Sequence, residues 1–148
     1  MSTFSMSKVP ATFIAAVLAL ASLAPALHAQ DSGFIVKVNV PFAFESATGQ
    51  YFTPGVYTIR MDRAQSMLIQ GTSKSGLATT QLANDGKPAD KGKAVFTRYG
   101  EKYFLREVWV TGNSSHLLCS ESKAEKRLQV AGIQAPTNVQ LALLETAR

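Results

Sequence analysis

Cysteine is almost absent: Cys119 stands alone in 148 residues. A chain with one cysteine has no internal disulfide, so a hydrophobic core must hold its fold. Histidine is scarce too, with only His28 and His116. Metal sites need several imidazole, thiolate or carboxylate groups converging. His116 and Cys119 are two such groups without identifiable companions. No metal site is expected, and His116 reads as a plain loop histidine. A Ser/His/Asp site would need His116 as its base. Ser114 and Ser115 lie too near it in the chain, and no G-x-S-x-G elbow occurs. Phosphate-cradling loops and dinucleotide fingerprints are missing as well. Glu45, Asp62, Glu101 and Glu107 are the acids a carboxylate-pair hydrolase would draw on, but no spacing pairs two of them. The chain is therefore read as not an enzyme, with no catalytic residue and no cofactor.

Charge of one sign is also thin. The formal net charge is +5, and the basic residues are scattered. Lys87, Lys91 and Lys93 come nearest to a cluster, within a loop of Gly, Pro and Asp. A solvated loop of this kind does not make a phosphate-tracking stripe, so no nucleic-acid partner is expected.

Long apolar runs are missing everywhere except near the start. Lys8 is followed by "VPATFIAAVLALASLAPAL" and then Leu27-His28-Ala29. A positive charge, an apolar stretch and small residues before a cut describe a secretory signal peptide. Residues 1–29 read as the leader, cut after Ala29, and residues 30–148 as a single β domain. The product is expected to be periplasmic or secreted, with no membrane span once the leader is gone. Asn113-Ser114-Ser115 has the N-glycosylation spacing but reads as a turn.

What the remaining chain has is alternation with a period of two. In "FIVKVNVPFAF", Phe34, Val36, Val38, Val40, Phe42 and Phe44 share one face. That is a half-buried strand, and Pro41 places it at a sheet edge or a bulge. Thr53-Pro54-Gly55-Val56 reads as a type II turn leading into a strand through Tyr57, Ile59 and Met61. "SMLIQGTS" and "GLATTQLAND" read as strands around a turn at 72–76. "NDGKPADKGK" is a polar loop and the expected mobile segment.

"AVFTRYGEKYFLREVWV" reads as a hairpin. Gly100-Glu101 suits a type II′ turn, and a three-residue loop through Lys102 fits nearly as well. On its second arm Tyr103, Leu105 and Trp109 share a face with Glu107, while Phe104, Val108 and Val110 share the other with Arg106. Two apolar faces mean a central strand covered on both sides. Cys119 follows Leu117-Leu118 and reads as a buried thiol, with an intermolecular disulfide as the alternative. Ser122 to Glu125 has the capping-box pattern. Ala124, Leu128 and Ala131 then recur at helical spacing before Gly132. "VQLALLETA" closes the chain as a strand with Val139, Leu141 and Leu143 on one face, a helix being the competing reading.

The expected fold is all-β: an antiparallel β-sandwich or small barrel of about seven strands, with one short helix of the C-terminal half packed on it.

Three blocks, "VNVPFAFESATGQYFTPGVYTI", "KAVFTRYGEKYFLREVW" and "SESKAEKRL", resemble a family of small exported bacterial proteins, mainly acidobacterial. Its members carry a leader, a VPF-F strand, a PAG-Y turn, an RYG-RYFL--VW hairpin and an LPKS--ER-L segment. Cys119-Ser120-Glu121 stands here where Leu-Pro-Lys is usual. The resemblance implies export and a single domain, and no activity.

These readings together describe an exported non-catalytic β module with a structural or protein-interaction role. Its partner would be an envelope protein. A small-ligand carrier barrel is the alternative, and a hydrolase comes third. Tyr99, Tyr103, Trp109 and Arg106 are the candidate ligand-binding residues, because aromatic rings beside a guanidinium suit sugar or peptide contacts.

Overall fold

A computed structural model describes residues 35–63, 65–132 and 134–144. The leader and Phe34 lie outside these residues. Ser32–Arg148 clusters as one compact unit.

Alternation dominates the first strand, β1 (Ile35–Val40), where Val36, Val38 and Val40 are buried and Lys37 and Asn39 are exposed. β1 is not an edge strand. It pairs with β4 (Gly55–Arg63) on one side and β10 (Thr137–Leu144) on the other. Pro41, which has no N–H for the ladder, instead ends the strand, and the chain leaves the sheet there. The Pro54-Gly55 turn also differs from expectation. Gly55 already pairs with Val40 and is not among the glycines of positive φ, so a type II turn is absent. The Tyr57 hydroxyl donates to the Thr53 carbonyl and holds this corner.

After β4 come β5 (Ser66–Gln70) and β6 (Ser75–Asn84), then β7 (Lys93–Tyr99), β8 (Lys102–Trp109) and β9 (Ser115–Cys119). Hydrogen bonding runs β8-β7-β10-β1-β4-β5-β6-β9, and β9 pairs back onto β8. Eight antiparallel strands therefore close a barrel. The expected strand count of about seven is low, because β2 (Phe44–Glu45) and β3 (Tyr51–Phe52) are two residues each and too short for any periodicity. β10 is a strand, with Val139, Leu141 and Leu143 turned inward.

Closure leaves two ends, and one of them is filled by aromatic rings. The chain after β1 crosses to the edge of β8, where Glu45 pairs with Phe104. This passage places Phe44 and Phe52 in contact, centroids 5.0 Å apart, with Tyr57 and Phe96 edge-on to Phe44. Phe42 stacks on Tyr103 at 3.9 Å. Phe52 and Phe96 have no exposed surface, and the bore below holds Val38, Ile59, Met67, Leu105 and Leu117. Burial of each such side chain contributes about 1.5–3 kcal/mol.

The β7–β8 hairpin closes in two residues. Tyr99 pairs with Lys102, Gly100 has φ 61°, and Glu101 is not in the positive region, as a type II′ turn requires. Further along, Val95 pairs with Glu107 but Phe96 pairs with Leu105. Arg106 is thus the extra residue of a β-bulge. The bulge overturns the strict alternation expected for β8. Leu105 and Val108 both point into the bore, so Leu105 does not share a face with Glu107 and Trp109.

α1 (Lys123–Ala131) links β9 to β10 and so must cross β8 and β7 on the outside. Ser122 caps it, its Oγ accepting the Glu125 N–H at 3.1 Å. Gly132 ends it at φ 61°, donating to Leu128 and Gln129. The helix face keeps Ala124 and Leu128 half-buried as expected, but Glu125 is its buried residue and Ala131 is exposed.

Candidate functional site

The four candidate residues do not converge. Tyr99 is buried on the outer face of β7, edge-on to Phe104 at 6.0 Å. Tyr103 belongs to the aromatic plug, with the Arg98 guanidinium 5.5 Å from its ring. Arg106 leans toward α1. Trp109 stands at the opposite end of β8. Packing accounts for most of the surface of Tyr99 and Tyr103, and each also borders a small hollow, Tyr99 beside Leu128 and Tyr103 beside Phe44 and Glu45.

Trp109 lines a separate, wider cleft. The cleft, of about 590 Å³, lies between the loop joining β6 to β7 and the end of β8. Lys87, Pro88, Asp90, Lys91 and Lys93 form its walls beside the indole. The loop expected to be mobile is tied down along its length. Asp85 donates to Ser114, Ala89 to Asn113 and Gly92 to Thr111 Oγ1, while Ala89 accepts from Gly112. Asn113 and Ser114 are thus anchors for this loop, with the Asn113 side chain accepting the Ser115 N–H in a turn.

The indole is fixed on three sides. Its Nε1–H donates to Glu107 Oε2 at 2.7 Å. His116 stacks on one face at 3.8 Å, with planes 9° apart. Lys93 Nζ stands 5.2 Å from the ring, a cation–π distance. His116 is therefore a buried strand residue on β9, not a loop histidine, and its Nδ1 has no hydrogen-bond partner. Cross-strand register with Trp109 put it there; the sequence offers no sign of this, because the two residues belong to different strands. The arrangement is an aromatic wall whose rim carries three lysines together with Asp85 and Asp90.

A second cluster surrounds Arg106. Its guanidinium lies 3.6 Å from Glu125 and 3.7 Å from Glu121. Arg106 pairs with these helix-side acids and not with Glu107, which takes the indole. Burial, first, and then Glu121 and Glu45 push the Glu125 carboxyl above its ordinary value, against Arg106 and the Ser122 backbone. Cys119 lies in the core, its thiol pushed up to about 12 mainly by burial. A buried thiol of this kind is inert, and a bridge to another molecule would require it to leave the core. Among the described residues no group of three or more His, Cys, Asp or Glu side chains is placed to hold a metal ion.

No family model matches this sequence, and neither a curated protein nor a solved structure matches it.

Proposed function

We propose that the chain is an exported, non-catalytic binding module that engages a protein partner through its outer surface, at the cleft beside Trp109. The observation that carries this reading is the filled bore. Phe44, Phe52, Phe96 and Leu105 occupy the space in which a barrel of this strand number would otherwise hold one small ligand. Recognition then falls to the outside, where the cleft combines a fixed indole with Lys87, Lys91 and Lys93. Export is supported by the leader pattern ending at Ala29, and by the resemblance to small exported bacterial proteins. Lys37, Asn39, Asn138 and Gln140 are exposed, the reverse of the apolar band that a lipid-facing barrel presents.

The test is recovery of the full chain with a C-terminal tag. A mature protein beginning at Gln30 is expected by N-terminal sequencing. Envelope extract passed over it should yield a protein partner that a Trp109→Ala, Lys91→Glu, Lys93→Glu variant no longer retains. Undiminished capture by the variant would remove the cleft from the reading.

A small-ligand carrier is the second reading, favoured by the closure of eight strands into a barrel. A small molecule carried through purification and visible by native mass spectrometry would put this reading first.

A further inference from the structure

The outer edge of β8 is interrupted. β2 pairs with it at Phe104, and β9 takes over from Glu107 to Trp109. Between them stands Arg106, turned outward by the bulge toward the start of α1. Two carboxylates share this one guanidinium, Glu121 just before the helix and Glu125 in its first turn, and Glu45 of β2 adds its negative charge near Glu125. Glu107 on β8 is occupied by the indole, and Cys119 on β9 is an uncharged thiol near neutrality. Neither ion pair is at hydrogen-bond distance, and Arg106 Nη1 is buried without a hydrogen-bond partner. The cluster thus holds more negative charge than its cation neutralises, although Glu121 and Glu45 are only half-buried. One helix residue bears that excess with almost no surface open to water: Glu125, 2% exposed.

We propose that α1 is a proton-controlled clasp across this gap, seated most firmly when Glu125 is neutral and loosened when Glu125 ionises. Loosening opens the strip beside Tyr99, which points outward from β7 yet is buried and lies outside the barrel core. Leu128 of the helix and Tyr99 line the same hollow, which places the helix beside this strip. When Glu125 is neutral, Glu121 remains to balance Arg106, and the Ser122 cap is unaffected.

The direction follows from linkage. A carboxyl whose docked value is raised binds its proton more tightly docked than free. Its contribution to docking is complete below the ordinary value of 4.5 and disappears as pH rises through the raised one. Each unit of such a difference is about tenfold in the docking constant.

Hydrogen–deuterium exchange on the intact protein tests the clasp. Protection of the α1 and β8 peptides, corrected for intrinsic exchange, is compared at about pH 4.5, the ordinary value, and at about pH 8, well above it. Protection is expected to be several-fold greater in acid. Glu125→Gln should hold the acid level at both pH values, and Glu121→Gln should keep the response. Flat protection in the wild type, or a Glu125→Gln variant that still responds, would overturn the proposal. Should Glu125→Gln not fold, a carbon-13 titration of the wild-type carboxyls decides: a Glu125 resonance titrating at or below 4.5 overturns it as well.

Discussion

Trp109 and His116 lie face to face across the β8–β9 pair, ring centroids 3.8 Å apart. The stack joins the strand that carries Arg106 to the one that carries Cys119, and so sets the wall of the cleft. A double-mutant cycle of Trp109→Ala and His116→Ala should give a coupling of about 0.5–1.5 kcal/mol in urea unfolding. Additive losses would mean that the rings are neighbours without a mutual energy.

The plug makes the larger contribution. Phe52 comes from a two-residue strand, yet it is wholly buried between Phe44, Tyr57 and the Lys74 ammonium. Phe52→Ala should cost about 3–5 kcal/mol in denaturant unfolding. A loss below about 1 kcal/mol, the size of a surface substitution, would show that the crossing segment only rests on the barrel mouth.

Two glycines of equal φ carry unequal strain. Gly132 and Gly100 both have φ 61°. Gly132 is left-handed helical, with ψ 15°, and a Cβ there meets nothing. Gly132→Ala should therefore cost about 1 kcal/mol from the backbone alone. Gly100 opens a type II′ turn, a conformation more strained for a residue with a Cβ, and a Cβ there would also run into the Gln134 amide. Gly100→Ala should cost more on both counts, and equal thermal shifts for the two variants would refute the turn assignment.

Cys119 should be chemically silent in the folded protein. Its thiol is pushed from 9.0 up to about 12 by burial, so the folded state gains stability from the neutral thiol below 9 and loses it as pH rises through about 12. At about pH 8, where a free thiol of pKa about 8.5 is partly ionised, a thiol reagent should label Cys119 only at the rate of unfolding. Labelling that rises with denaturant along the unfolding curve supports this, and rapid labelling of native protein refutes it.

Much of the architecture was legible in the alternation. Val36, Val38 and Val40 pointed inward as their spacing requires, as did Tyr57 with Ile59 and Val139 with Leu141 and Leu143. Ser122 and Gly132 marked the helix ends, because caps are local hydrogen-bond problems that a few residues solve. β2 and β3 escaped notice since each needs its neighbour to exist. The candidate site was read less well. Four residues of one hairpin became a plug, a buried cross-strand pair, a clasp partner and a cleft wall.

Composition and period thus determined by themselves that this chain forms antiparallel strands, one short helix and a core without disulfides. These depend on contacts a few residues apart. The tertiary structure alone decided that the sheet closes, that Arg106 bulges toward α1 and that His116 meets Trp109. Each depends on the register between strands distant in sequence, and a shift of one residue there reverses which side chains face the bore.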